Sequence, residues 1–272
     1  MKGPKNKITK KQKRKESSMK INDIPSILSV SASPDVTPRY RFFSTWDLIM
    51  VLSEAGWNVV AAAGVKSHNF ERARYAQHVI TFENPRLAGT RVPRLVARNG
   101  HDGMTGLQLR LGFCIPETGV EFIAGEEFFG LNLRHMSAGK KLLEEYLQKV
   151  EENVNKVYAV VESMFTRRLT EKEKEKIVQR AIIARWKDPD KSRAAMAFNT
   201  KNVLEGTGDT LFEIFLKLQD ELLKGGYRTI SVGGEKREYC IRGIRSGVRE
   251  YKFRQEIFKI AVDFLELKEA TA

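Results

Sequence analysis

The sequence predicts an α+β fold, in which an N-terminal helix and an antiparallel β-meander pack against a mostly helical C-terminal half. Three observations point there. Residues 92–114 alternate apolar and polar side chains on both sides of Asn99-Gly100-His101-Asp102-Gly103, whose Asn-Gly and Asp-Gly pairs tolerate the positive φ of a hairpin turn. Residues 137–165 place Leu142, Leu143, Tyr146, Leu147, Val150, Val154, Val157, Val161 and Phe165 at three- and four-residue spacing, over about seven helical turns. Helix-start signals stand at Ser44 and Thr170, with Asp47 and Glu173 three residues further on.

The chain opens on an arm, residues 1–20, where nine Lys/Arg against Glu16 give +8 of the net +13 carried by all 272 residues. Such a stretch cannot bury enough apolar surface to fold alone, so it reads as disordered. Residues 21–135 form the α+β sheet region. After a Ser- and Pro-punctuated lead-in, the helix from Ser44 buries Leu48, Ile49, Val51 and Leu52 and ends at Ala55-Gly56. Strands follow over 57–65 and 75–82, joined by a charged loop around Asn69-Phe70-Glu71-Arg72. The hairpin comes next, and residues 114–123 extend the sheet.

Residues 136–272 form a mainly helical region with an Arg-rich hairpin. One continuous helix is expected over 137–165, and a second runs from Thr170 until Asp188-Pro189 stops it. A third, over 210–223, is closed by Gly225-Gly226. A Gly- and Arg-rich hairpin over 229–247 leads into a last helix over 251–267.

Cys114 and Cys240 make no CxxC pair, no secretory signal follows the arm, and no apolar run reaches membrane-spanning length. The expectation is a reduced, soluble, cytoplasmic protein (host cytoplasm if viral). Neither a phosphate-cradling glycine loop nor a Gly-x-Ser-x-Gly elbow occurs. The catalytic candidates are His101 and Asp102 at the hairpin tip, because a histidine beside a carboxylate serves as general base or metal ligand. The other possibility is that Asp102 makes an Asx turn while His101 packs locally. A metal site needs three or four convergent ligands, and His68, His78 and His135 lie in unrelated contexts, so no metal is assigned.

Cations interleaved with rings are the stronger pattern. On the hairpin, Leu95, Ala97, Leu107, Leu109 and Leu111 share one face, while Arg94, Arg98, Gln108 and Arg110 share the other. Arg39-Tyr40-Arg41-Phe42-Phe43 precedes the first helix, and Arg72, Arg74 and Tyr75 follow the first strand. A run near the C-terminus holds Arg237, Tyr239, Arg242, Arg245, Arg249, Tyr251, Lys252 and Arg254. Single strands are held in this way, with cations on phosphates and rings against bases. The expected contacts are Arg72, Arg74, Arg94, Arg98, Arg110, Arg242, Arg245 and Arg249, with Lys10, Lys11, Lys13 and Arg14 of the arm.

The segments Phe43-Ser44-Thr45-Trp46-Asp47-Leu48, Ala55-Gly56-Trp57, Tyr75-Ala76-Gln77-His78 and Val92-Pro93 to Asn99-Gly100-His101-Asp102-Gly103 resemble a phage- and plasmid-borne family of unknown function, the DUF932 type. Gly206-Thr207-Gly208-Asp209-Thr210-Leu211-Phe212 and Leu222-Leu223-Lys224-Gly225-Gly226 resemble its C-terminal region. The likeness covers roughly residues 40–260. It departs at Cys114-Ile115-Pro116-Glu117-Thr118-Gly119, where that family usually shows cysteine-asparagine-glycine. In layout alone, helix, meander and long helix are also similar to the ring-forming single-strand annealing proteins.

The expected function is therefore a phage-type recombination protein that binds and anneals single-stranded DNA without a cofactor. Its expected partners are single-stranded nucleic acid, DNA rather than RNA, and further copies of itself in a homo-oligomer, with no membrane. The enzyme alternative is a metal- or His-dependent nuclease or hydrolase centred on His101, Asp102 and Glu126. A third possibility is a host-takeover or anti-defence protein that acts by binding another protein.

Overall fold

A computed structural model describes residues 21–65, 69–87, 91–116, 119–125, 129–133, 139–187, 203–232 and 235–266. The architecture is α+β, as the sequence predicts. The first helix, α1 (Thr45–Glu54), starts where Ser44 accepts a hydrogen bond from the Asp47 N–H at 3.3 Å. It stops at Gly56, whose φ of +85° lets Gly56 N–H reach the Ser53 carbonyl and Trp57 N–H reach the Leu52 carbonyl, each at 2.9 Å.

Six antiparallel strands then form one sheet: β1 (Asn58–Gly64), β2 (His78–Glu83), β3 (Val92–Asn99), β4 (Leu107–Ile115), β5 (Val120–Ile123) and β6 (Gly130–Leu133). Their order is β1-β2-β3-β4-β5. The short β6 pairs the first half of β4, and β5 pairs the second half. A one-turn helix, α2 (Phe70–Ala73), capped by Asn69, lies within the predicted charged loop.

Strand pleating gives the sheet two faces. Leu95, Ala97, Leu107, Leu109, Leu111 and Phe113 lie on one, buried against α1 and the C-terminal helices in a continuous core running from Ile24 to Phe264. Each such leucine contributes about 1.5–3 kcal/mol. The core joins the predicted sheet and helical regions. The opposite face holds Val79, Val96 and Ile123, which pack with Val248 and Tyr251 from the last helix.

The helical half corrects one expectation. The single helix expected over 137–165 is two, α3 (Gly139–Gln148) and α4 (Val150–Thr166). At Lys149, with φ −102° and ψ −1°, the N–H turns back three residues to the Tyr146 carbonyl at 3.1 Å, and the Lys149 carbonyl then accepts the backbone and side-chain amides of Asn153 at 3.2 and 2.7 Å. That i→i−3 bond is a tightened turn of the kind that ends helices.

Helix α5 (Glu171–Trp186) begins with a complete capping box between Thr170 and Glu173, and α6 (Leu211–Lys224) with another between Thr210 and Glu213. A hairpin, β7 (Gly225–Val232) and β8 (Glu235–Arg242), follows, starting four residues before and ending five residues before the span expected over 229–247, and α7 (Gly247–Glu266) begins four residues earlier than the sequence suggested. Gly247 allows the first turn of α7 to sit on β1, since a Cβ there would come 2.5 Å from that of Ala63. Among the described residues, no helix is long and apolar enough to cross a membrane.

Candidate functional site

The hairpin arginines face away from the leucines, as alternation requires, yet the face they occupy is covered. Arg98 and Arg110 are buried, at 8% and 3% exposure. Arg98 donates to Gln77 Oε1 at 2.7 Å, Gln108 Oε1 at 3.1 Å and Thr105 Oγ1 at 3.3 Å, and burial lowers its pKa. Arg110 donates to Asn132 Oδ1 at 2.7 Å and to the carbonyls of Leu109 and Leu131. Arg94 is ion-paired with Glu83 at 3.1 Å and with Glu121. The expectation that these three side chains present themselves to phosphates is corrected for this conformation: they tie strands together beneath α7.

The hairpin tip also closes inward. Asp102 Oδ1 accepts from Met104 N–H at 3.0 Å, an Asx turn, while His101 has no exposed surface and lies 4.8 Å from the ring of Phe42. Thr45 Oγ1 lies 2.9 Å from Nε2 of His78, 3.2 Å from Nε2 of His101 and 3.0 Å from Nδ2 of Asn99. One proton assignment satisfies these contacts. His78 carries its proton on Nδ1 and donates it to the Ala76 carbonyl at 3.3 Å. Its Nε2 then accepts from the threonine hydroxyl, whose lone pairs accept from Asn99 and from His101 Nε2–H.

Burial, then the neighbouring His101, lowers the His78 pKa to about 3. With all four groups buried, the cluster pins α1 to the sheet and offers substrate no access. Among the described residues, no three His, Cys, Asp or Glu side chains gather as a metal site would. Glu126 lies outside the described residues.

The C-terminal cations stand differently. Arg242, Arg245, Arg249 and Lys252 are exposed where β8 ends and α7 begins. Arg185, at the end of α5, donates to the carbonyls of Arg242 and Leu222, each at 3.1 Å, with its guanidinium 5.1 Å from the centre of the Trp186 ring. Exposed Lys187 comes next in the chain. Like charges act on one another here. The Arg98 charge, then burial and Lys187, hold Lys252 below the ordinary lysine range, while burial and then Arg249 lower Arg185.

Elsewhere, Arg72 is exposed and Arg74 is half-exposed, 3.9 Å from Glu71. Phe70 beside them is 66% exposed. Lys10, Lys11, Lys13 and Arg14 lie outside the described residues, as do the side chains of Arg237 and Tyr239.

The family profile described as "Domain of unknown function (DUF932)" matches residues 34–252, most of the chain. The chain belongs to the DUF932 family. This DUF932 chain is 19% identical over 235 residues to "UPF0380 protein YfjQ" of Escherichia coli (strain K12), covering 83% of this chain and 84% of that one. It is 19% identical over 228 residues to "UPF0380 protein YafZ" of the same organism, with the same coverage. No solved structure matches.

In the DUF932 chain, sequence reasoning missed Arg185 and Lys187, although Arg185-Trp186-Lys187 repeats the interleaving of cation and ring used elsewhere. It also missed Thr45 as the centre of the buried cluster. There the signal was slight, because a threonine at a helix start reads as a capping residue.

Proposed function

We propose that this DUF932 chain binds single-stranded nucleic acid, DNA in preference to RNA, and anneals complementary strands as a homo-oligomer without a cofactor. The observation that carries the reading is the ridge of cations at the ends of α5 and β8 and the start of α7. Arg242, Arg245, Arg249, Lys252 and Lys187 are exposed there around Arg185, which donates to the Arg242 carbonyl at 3.1 Å. Within the group, Arg249 adds to the effect of burial on Arg185, and Lys187 to that of Arg98 and burial on Lys252. Assembling like charges costs free energy, and a polyanion offsets that cost by neutralising them. Exposed Phe70 beside Arg72 adds a ring on which an unpaired base stacks, at about 1–3 kcal/mol.

The mechanism is geometric. Phosphates follow the ridge, with Arg72, Arg74 and the arm residues Lys10, Lys11, Lys13 and Arg14 as outlying contacts, and the bases remain free to meet a complement. The test is annealing of two labelled complementary oligonucleotides in EDTA and in magnesium. The expected result is faster annealing of intact strands in both buffers. Strand cleavage that appears with magnesium contradicts the proposal and favours a nuclease. A rate equal to the spontaneous one contradicts it as well.

A further inference from the structure

A groove lies between the polar face of the sheet and the first turn of α7, enclosing about 310 Å³. That is the small end of the range of ligand pockets, about 300–1,000 Å³. Its walls are mostly apolar, with Ala61 and Ala63 of β1 opposite Gly247 and Tyr251 of α7 and Val96 and Ile123 of the sheet between them. Charged groups line its edge. Arg94 is paired with Glu83 and Glu121, and Arg254 donates to Glu250 and to the Glu121 carbonyl. Arg245 also lines the groove, is exposed, and has no ion-pair partner among the described residues. It belongs to both the groove and the cation ridge.

We infer that this groove is a nucleotide slot, taking one nucleobase against its apolar wall and the attached 5′-phosphate on Arg245, as one unit of the bound strand. The inference rests on the nucleic-acid reading and places a specific contact within it. A base has flat apolar faces and an edge carrying both donors and acceptors. The groove answers both, with Ala61, Ala63 and Val96 for the faces and the Arg94, Glu121 and Thr81 side chains for the edge.

The test titrates the full chain with the four deoxynucleoside 5′-monophosphates, with 2-deoxyribose 5-phosphate, and with a single-stranded oligonucleotide and its abasic counterpart. Ala61→Leu fills the slot. The expected result is nucleotide binding weakened on the order of tenfold by Ala61→Leu and by loss of the base. Arg245→Ala, at the exposed edge, keeps the test decisive should Ala61→Leu fail to fold. It is expected to weaken the monophosphates while sparing the corresponding nucleosides, titrated alongside them.

Sugar phosphate binding as tightly as nucleotides, or unchanged affinity in both variants, overturns the slot. If the oligonucleotide still binds in a salt-sensitive way, that result leaves the strand-binding reading in place. Nucleotides bound in the groove without any oligonucleotide binding would overturn both the slot as a unit of a bound strand and the annealing reading.

Discussion

The hydroxyl of Thr45 lies 2.9 Å from Nε2 of His78, joining the first turn of α1 to the start of β2. His101 and Asn99 converge on the same oxygen, so one side chain satisfies three buried polar neighbours. Removing the hydroxyl orphans all of them, and each buried group left unmet costs about 1–3 kcal/mol. Thr45→Val is therefore expected to destabilise the fold by roughly 3 kcal/mol or more in urea unfolding. Thr45→Ser, which keeps the oxygen, is expected to cost about 1 kcal/mol or less. Equal losses in the two variants would show that the hydroxyl is not what matters.

The burial of His78 beside His101 makes stability depend on pH. His78 is held neutral in the fold, with its pKa lowered to about 3, whereas the unfolded chain takes up a proton near the ordinary value of about 6.5. Between those values the unfolded state binds more protons, so stability is full above about pH 6.5 and falls as pH drops towards 3. The expected loss approaches about 1.4 kcal/mol per pH unit, or about 2 kcal/mol at pH 5. Urea midpoints from pH 7.5 to 4.5 measure it, and His78→Gln is expected to flatten the slope.

The starts of α5 and α6 lie side by side, linked by Leu169 N–H to the Asp209 carbonyl at 2.9 Å and Leu211 N–H to the Arg167 carbonyl at 2.7 Å. Thr170→Ala and Thr210→Ala each remove a cap and are expected to cost about 1 kcal/mol. Because the caps are neighbours, the double variant is expected to depart from the sum by about 0.5 kcal/mol or more. Thermal melts of the three variants give the cycle.

Much of the sheet region is legible in the sequence because its signals are local. Asn99-Gly100 and Asp102-Gly103 mark the hairpin, and period-two alternation sorts Leu95 from Arg94 onto opposite faces. Alternation does not say what covers each face. Arg98 and Arg110 look like solvent-facing cations until Val248 and Tyr251, some 150 residues away in sequence, pack over Val79, Val96 and Ile123. Those valines and isoleucine, placed among the arginines, were the sign of a sheet buried on both faces. The break at Lys149 escaped because the apolar spacing runs through it unaltered, while the backbone N–H of Lys149 turns back to Tyr146 instead of continuing the helical ladder. The cation ridge was half legible, since Arg242, Arg245 and Arg249 are close in sequence but Arg185 and Lys187 reach them through tertiary packing, with Arg185 donating to the Arg242 and Leu222 carbonyls and α5 lying against α7.

The central claim is that a strand lies over this ridge rather than on the hairpin arginines. The most direct measurement is the affinity of the full chain for a labelled single strand across a salt series, compared with Arg242→Ala/Arg245→Ala/Arg249→Ala and with Arg98→Gln. The triple variant is expected to melt like the parent and to lower the log–log salt slope by about one for each phosphate it no longer neutralises. Arg98→Gln is expected to lower the melting temperature and leave the slope unchanged. An unchanged slope in the triple variant, or a flattened one in Arg98→Gln, would contradict the account.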